Sequence, residues 1–336
     1  LGQPPSNAKK FISKFKKYPI KKPYEFAVLG FGSRNYPDFC QFAIDVNEEI
    51  SNDKNAKDIL PLKLINNQSQ SEFENWLKSW GTQNKINTSI EIENVLKNDL
   101  FHVISKTNAE KDPNSNFTLL LKSPHLKTFQ SGDLLAIKPP NDENERSYSI
   151  AKTLENEIFL SLRKHENGKC SSYLDQLRVN DKINGRIIKN INFRIPEYFD
   201  RLILISNGTG IAPLLGMAYE NDDKKQVDLI WGAKYSITLK LFRNTINDLI
   251  DEERLSSMEV GYSQDTKFPK KYVQDIITEN KSSLFENFDE GCFVMICGSV
   301  NMGEQVINLI NNILIEYGKK SLNHYIDNEQ IKIDTY

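Results

Sequence analysis

The feature that most limits how this chain can fold is a double change of hydrophobic rhythm. Up to Gly81-Thr82-Gln83-Asn84, short apolar runs alternate with helix-spaced patterns. From there to about residue 198 the chain breaks into brief alternating runs separated by Asn, Pro, Gly and Asp, and from Arg201 the first rhythm returns. A period of two lines one face of a strand and a period of 3.6 one face of a helix, so one element cannot satisfy both. The chain therefore reads as α/β plus β-barrel: a partial, doubly wound parallel sheet over 1–82, an antiparallel barrel over 83–198 and a Rossmann-like α/β domain over 199–336. A length of 336 residues agrees, because single domains hold roughly 100–200 residues.

Within the first stretch, 6–17 reads as a short basic amphipathic helix and 25–29 as a strand ending at Gly30. Residues 38–50 form a helical pattern with Phe39, Phe42, Ala43 and Val46 on one face; a strand over 60–64 and a helix over 71–80 follow. The middle stretch has alternating runs near 90–106, 117–122, 133–138, 148–152 and 158–163. In the last stretch three apolar runs, 202–205, 227–231 and 292–296, each lead to a glycine turn, and 303–317 has the spacing of a core helix.

Composition removes several classes of function. Lys+Arg 43 against Asp+Glu 45 leaves a net charge of -2, so there is no basic excess to attract nucleic acid or anionic lipid. No stretch approaches the roughly 20 apolar residues that cross a bilayer, and the start lacks the basic and apolar regions of a signal peptide; a cytoplasmic location is expected. Cys40, Cys170, Cys292 and Cys297 are too widely spaced for a disulfide framework or a metal site. The chain begins without Met, which reads as a piece of something longer, whose upstream part could carry a membrane anchor.

The most chemical segment is Asn207-Gly208-Thr209-Gly210-Ile211-Ala212-Pro213, between an apolar run and a helical pattern. Exposed amides and a helix dipole at such a turn can hold a diphosphate, and glycine lets backbone approach phosphate closely. Read alone, it is also compatible with a tight turn that binds nothing. It does not stand alone: Arg146-Ser147-Tyr148-Ser149 and Gly168-Lys169-Cys170-Ser171-Ser172-Tyr173-Leu174 precede it, and Cys297-Gly298-Ser299 and Asp334-Thr335-Tyr336 follow it. In this order the segments resemble the ferredoxin–NADP reductase superfamily over roughly 85–336.

The resemblance implies FAD and a nicotinamide cofactor. Arg146 would pair with the FAD diphosphate, Tyr148 would lie along the flavin and the Ser149 hydroxyl would approach flavin N5; an arginine fork suits phosphate because it binds in two places. Gly168, Lys169, Cys170 and Ser171 would form the second FAD segment, a role that a plain helix cap by Ser171 or Ser172 would also accommodate. Gly208, Thr209, Gly210 and Pro213 would form the nicotinamide-dinucleotide turn. Ser149, Cys297, Asp334 and Tyr336 would be the catalytic cluster, with Cys297 beside the nicotinamide C4 and Tyr336 an aromatic lid over the flavin. Otherwise Cys297 is a small buried strand-end residue and the last three residues a frayed terminus. Ser263, Gln264, Lys270, Tyr272 and Gln274, with Lys234 and Lys267 nearby, fall where the superfamily holds the adenosine 2′-phosphate. Gln264 stands where members that prefer NADPH usually carry arginine, so NADH is possible beside NADPH.

Residues 1–82 resemble the second half of a flavodoxin domain. Gly30-Phe31-Gly32-Ser33-Arg34-Asn35-Tyr36 looks like its FMN loop, with Gly32 and Asn35 in the turn, Tyr36 as the stacking candidate and Gly2 a remnant of the preceding flavin loop. The first strand and its phosphate loop are missing, so FMN is expected only in the intact protein, and the open sheet edge predicts poor order or association. A flavodoxin part fused to a reductase module is the arrangement of diflavin reductases. The resemblance thus implies an enzyme that passes a hydride from NADPH to FAD and single electrons to FMN, then to a haem or iron–sulfur acceptor protein or domain. A single-flavin ferredoxin or flavodoxin reductase and a non-catalytic flavin-binding module are the alternatives.

Overall fold

A computed structural model of the chain describes residues 4, 8, 10–32, 38–66, 69–88, 98–108, 112–124, 128–140, 142, 144–288 and 291–336. The chain divides into two compact units, Leu1–Lys97 with Asn141–Glu145 and Asn98–Pro140 with Arg146–Tyr336.

In the smaller unit, helix α1 (Phe11–Lys17) stacks Phe11 on Phe15 and buries no residue. The strand expected over 25–29 is two strands, β1 (Tyr24–Phe26) and β2 (Leu29–Gly32), which pair in parallel with β3 (Ala56–Asp58) and β4 (Lys63–Asn66). Phe26 pairs with Asp58 but Leu29 with Lys63, so the segment before β4 holds two more residues than Ala27-Val28 opposite it. Pro61 lies in that segment and has no N–H to donate, which accounts for the interruption and for a strand that starts at Lys63. Helix α2 (Gln41–Ser51) lies so close to β2 that a Cβ on Gly30 would sit 2.6 Å from Ala43 Cβ. Helix α3 (Gln70–Asn84) runs past its expected end and stops at Lys85, which takes a left-handed conformation at φ 56.

The larger unit has two layers. The first is a seven-stranded antiparallel sheet of β5 (Asp99–Asn108), β6 (Asn116–Lys122), β7 (Leu134–Ile137), β8 (Arg146–Ser149), β9 (Ala151–Lys152), β10 (Ile158–Arg163) and β11 (Lys182–Ile188), in the order β8-β7-β11-β5-β6-β10-β9. β8 and β9 end that order on opposite sides, yet Ile150 alone separates them in sequence. The sheet must therefore curl until it nearly closes into a barrel. Phe101, Val103, Phe117, Leu119, Leu121 and Leu160 fill its core. Asp133, fully buried, accepts from the Gln130 and Asn190 amides and pairs with Arg194 at 3.1 Å and Lys189 at 3.4 Å, which satisfies a charge that would otherwise be costly to bury. Helix α4 (Lys169–Gln176) follows β10.

The second layer is a parallel sheet of β12 (Arg201–Asn207), β13 (Gln226–Ala233), β14 (Ser257–Tyr262), β15 (Cys292–Gly298) and β16 (Ile331–Thr335), ordered β14-β13-β12-β15-β16. The three apolar runs of the sequence are its central strands. β14 and β16 are edge strands, β14 alternating exposed and half-buried residues over its first four positions, and both lack a continuous apolar run. Helices α5 (Ile211–Tyr219) and α6 (Arg243–Asp251) pack on one face. Helices α7 (Val273–Glu279), α8 (Lys281–Phe285), α9 (Val300–Glu316) and α10 (Leu322–Asp327) pack on the other. α5 seats directly on the barrel: a Cβ on Gly216 would lie 2.4 Å from Ser131 Oγ and 2.7 Å from Ala151 Cβ. The Ser131 amide also donates to Glu220 Oε1 at 3.1 Å. The helix that begins at the glycine turn is thereby held against the layer that carries Ser149.

Candidate functional site

Strand order locates the site. The chain builds outward from β12 through β13 to β14, then crosses back to lay β15 on the other side of β12. Open α/β sheets bind ligands beyond the carboxyl ends of their strands at such a switch point. A cleft of about 910 Å³ lies there, lined by residues that follow β12, β13, β14 and β15. Gly208 and Gly210 form a single 3-10 turn between β12 and α5. Gly208 has φ +55, and an added Cβ would meet no atom within 4 Å, so its backbone faces open space. Gly210 is confined instead: its Cβ would lie 2.5 Å from the Cys297 carbonyl oxygen. Trp231 Nε1 donates to the Gly208 carbonyl at 3.0 Å and fixes the turn from below. Pro213 is buried in α5 and holds no position on the cleft wall.

The four residues expected at the reaction centre converge. β15 and β16 pair in a register that sets Cys297 opposite Asp334. Asp334 Oδ2 accepts from the Ser149 hydroxyl at 2.8 Å, across the boundary between barrel and parallel sheet. Burial pushes the Asp334 carboxyl above the usual carboxylate range, while the Ser149 hydrogen bond pulls it back. Cys297 is fully buried; burial, and then the neighbouring Asp334, push its thiol well above its ordinary value, so it is a neutral thiol and not a nucleophile. The Tyr336 amide donates to the Gly298 carbonyl at 3.0 Å, and its hydroxyl shares a hydrogen bond of 3.1 Å with Thr209 Oγ1. The terminal residue as a whole is 60% exposed, while burial, followed by Cys297, raises its phenol above the ordinary value.

At the far rim the backbone of Ser263 and Gln264 is pinned by amide bonds to the Ala233 and Lys234 carbonyls, 3.0 and 2.9 Å. Gln264 Oε1 accepts from the Tyr235 hydroxyl at 3.1 Å. Lys234, Ser263, Gln264, Tyr272 and Gln274 all line the cleft. Lys270 does not; its ammonium lies over the Tyr272 ring, 5.2 Å from the centroid, while Lys271 lines the cleft and pairs with Glu279. Gln274 Nε2 donates to Gln305 Oε1 at 2.7 Å. Arg163, His165 and Gln305 also line the cleft and were not among the expected site residues. The basic run Arg163-Lys164-His165 at the end of a barrel strand is the signal that could have found the first two.

The expected FAD segments also meet. Burial, followed by the neighbouring Cys170, raises the Tyr148 phenol above its ordinary value. β8 and the start of α4 are thus adjacent. Gly168 is the N-cap of α4 and no side chain caps the first turn. A Cβ there would lie 2.4 Å from Ser171 Oγ, because that hydroxyl folds back to donate to the Gly168 carbonyl and accept from the His165 amide. Ser171 therefore shapes the turn, with Lys169 and Cys170 following the glycine and Cys170 buried. In the smaller unit Gly32 ends β2, and a Cβ there would lie 2.7 Å from Cys40 Sγ. Gly2, Asn35 and Tyr36 lie outside the described residues.

Residues 1–80 match the flavodoxin family and residues 204–307 the oxidoreductase NAD-binding domain. The chain is 30% identical over 193 residues to the sulfite reductase [NADPH] flavoprotein alpha-component of Buchnera aphidicola subsp. Schizaphis graminum, a match over 53% of this chain and 32% of that one. It is 27% identical over 184 residues to NADPH–cytochrome P450 reductase of Dictyostelium discoideum, over 52% of this chain and 27% of that one. The chain thus spans about a third of the length of these curated relatives. Ferredoxin–NADP+ reductase from Plasmodium falciparum superposes with a TM-score of 0.58 at 20% identity, covering 72% of this chain and 97% of that one. Among the described residues no helix is long and apolar enough to cross a membrane.

Proposed function

We propose that this chain, homologous to diflavin NADPH reductases, is the electron-entry part of such an enzyme: it takes a hydride from NAD(P)H at an FAD site and sends single electrons on to an FMN and then to a haem or iron–sulfur acceptor. The observation that carries this reading is the convergence of Ser149, Cys297 and Asp334 behind Tyr336, which lines the cleft, from segments spread over the whole larger unit.

The residues fit an FAD and a nicotinamide dinucleotide. An exposed arginine, Arg146, on β8 and a helix start without a side-chain cap, adjacent to it through Tyr148 and Cys170, suit a diphosphate. The open backbone of Gly208 suits a second diphosphate. When bound, FAD supplies a group that accepts a hydride and releases its two electrons singly. Everything else falls to the protein. Ser149 keeps its proton directed at Asp334 Oδ2, which orients the hydroxyl. The buried Cys297 offers a compact, uncharged wall that excludes water without competing as a base. Tyr336, held at its amide and hydroxyl, is a ring that a nicotinamide can displace without unfolding β16. Proximity and water exclusion are the main contributions these groups make. At the adenosine end Lys234, Ser263 and Tyr272 supply donors, and the uncharged Gln264 lowers discrimination for a 2′-phosphate.

Reduction of ferricyanide by the FAD-loaded chain with NAD(P)H tests this function; turnover is expected, and its absence in folded, flavin-loaded protein would leave only a flavin-binding module. A second reading is supported by the match that spans 97% of a ferredoxin–NADP+ reductase: the larger unit alone carries that fold, so a single-flavin enzyme is feasible. Flavin analysis separates the two. One FAD and one FMN in the complete protein supports the diflavin reading, FAD alone the second.

A further inference from the structure

Two glycine turns meet at the switch point of the parallel sheet, one after β12 and one after β15, and a single side chain clasps them. Asn207, the last residue of β12, donates from Nδ2 to Ser299 Oγ at 3.0 Å and accepts from the Ser299 amide on Oδ1 at 2.9 Å. Using donor and acceptor on one partner leaves its amide a single orientation. The intervening Gly298 has φ +145, and a Cβ there would lie 2.2 Å from Asn207 Oδ1, so the clasp needs glycine at that position. Ser299 Oγ also accepts from the Met302 amide at 3.4 Å and so caps α9. Asn207, Gly208, Thr209, Ser299 and Tyr336 all face the same cleft.

These bonds belong to a closed circuit. From Asn207 the chain runs to Thr209, whose hydroxyl bonds the Tyr336 phenol. The Tyr336 amide donates to the Gly298 carbonyl, and Ser299 returns to Asn207. The Gly208–Gly210 turn would otherwise be held mainly by Trp231, and glycine has the most freedom to lose. We infer that Asn207 is a positioning residue: through Ser299 it sets the separation of the Gly208–Gly210 turn from the Cys297-Gly298 segment, and so the fit of a nicotinamide dinucleotide lying across both. The inference rests on the reading that this cleft takes NAD(P)H.

Equilibrium binding of NADP+ to the FAD-loaded full chain tests it, with Asn207→Ala, Asn207→Asp, Ser299→Ala and the double alanine variant, alongside Tm and flavin content. Asn207→Ala is expected to weaken NADP+ binding about tenfold, the scale of two neutral hydrogen bonds, and to raise KM with a smaller change in kcat. Asn207→Asp keeps the acceptor for the Ser299 amide and should lose less. Because the two side chains act as one clasp, the double variant should bind as Asn207→Ala does. Unchanged NADP+ binding by folded, flavin-loaded Asn207→Ala, or effects of Asn207→Ala and Ser299→Ala that multiply in the double variant, would overturn the inference; a lowered Tm with unchanged affinity would show a purely structural bond. Should Asn207→Ala not fold, Asn207→Asp and Ser299→Ala give the same decision. Failure of the wild-type chain to bind NADP+ would overturn the cleft's assignment itself, and with it the inference.

Discussion

Ser149 and Asp334 lie 185 positions apart and share one hydrogen bond of 2.8 Å, with the hydroxyl donating to the carboxylate. One sits at the end of β8 in the barrel, the other on β16 at the edge of the parallel sheet. The bond therefore exists only when both layers are packed. Ser149→Ala and Asp334→Ala are expected to slow flavin reduction by NAD(P)H by about 10²-fold, the lower end for a positioned polar group at a reacting centre. Rapid-mixing measurement of flavin reduction checks this, and FAD content should be retained in both variants.

The Asp334 carboxyl carries a pH signature. Burial raises it above its unfolded value and the Ser149 bond only partly offsets that. A raised carboxyl binds its proton more tightly in the folded state, so its contribution to stability is present at acid pH and lost as pH rises through the folded value. Asp334→Asn, neutral throughout, removes that slope. Thermal melts should show wild type gaining on Asp334→Asn below the usual carboxylate range and losing ground at neutral pH. A difference in Tm independent of pH would show that the carboxyl is not perturbed.

The two glycines of the turn should fail in different ways. Gly208→Ala meets no atom but must hold φ +55, at a cost of about 1–2 kcal/mol for a left-handed L-residue; KM for NAD(P)H should rise because the backbone facing the cleft moves. Gly210→Ala has an ordinary φ of -64 but would drive its Cβ to 2.5 Å from the Cys297 carbonyl. Strand backbone yields little, so a loss of about 1–3 kcal/mol and a fall in kcat are expected. Denaturant unfolding and steady-state kinetics of the pair check the contrast.

The sequence was most legible where one residue type answers one local demand. The three central strands of the parallel sheet are nearly continuous apolar runs because both of their faces are buried, and the glycine turns follow them directly. β14 and β16 escaped notice because a charged residue breaks each run: Glu259 is exposed in β14, and Lys332 in β16 turns its ammonium to the Arg194 carbonyl and Glu329. β11 escaped because Asn184, Gly185 and Arg186 interrupt its alternation. At the candidate site, Ser149, Cys297, Asp334 and Tyr336 were recognisable as segments, but their contacts depend on β15–β16 register and on α5 seating against the barrel. For Arg163 and His165 a short basic run was the only signal, since only the docking of the two layers turns the end of a barrel strand toward the cleft.

Cofactor preference should respond to one residue. Gln264 occupies the rim beside Ser263 and spends its amide oxygen on the Tyr235 hydroxyl. It brings no charge to a 2′-phosphate, and among its neighbours Lys271 is paired with Glu279. Gln264→Arg adds a guanidinium fork there, so the ratio of kcat/KM for NADPH over NADH should rise about tenfold, the worth of one charge-assisted hydrogen bond. An unchanged ratio would place the phosphate elsewhere along the rim.

Tyr336 is the remaining test of the reaction centre, because its two tethers can be separated by two variants. Its amide bond to Gly298 survives any side-chain change, so β16 and Asp334 should stay in place when the ring is removed. If the ring must leave before a nicotinamide can stack, the binding-competent fraction of wild type is small and apparent affinity is reduced by that fraction. Tyr336→Ala should then bind NADP+ more tightly, by about tenfold for a competent fraction near one tenth. Tyr336→Phe keeps the ring and loses only the bond to Thr209, so it should fall between the two. Calorimetric titration of the three proteins orders them. Weaker binding by Tyr336→Ala would instead make the ring a contact for the bound nucleotide, and Thr209 its anchor rather than its latch.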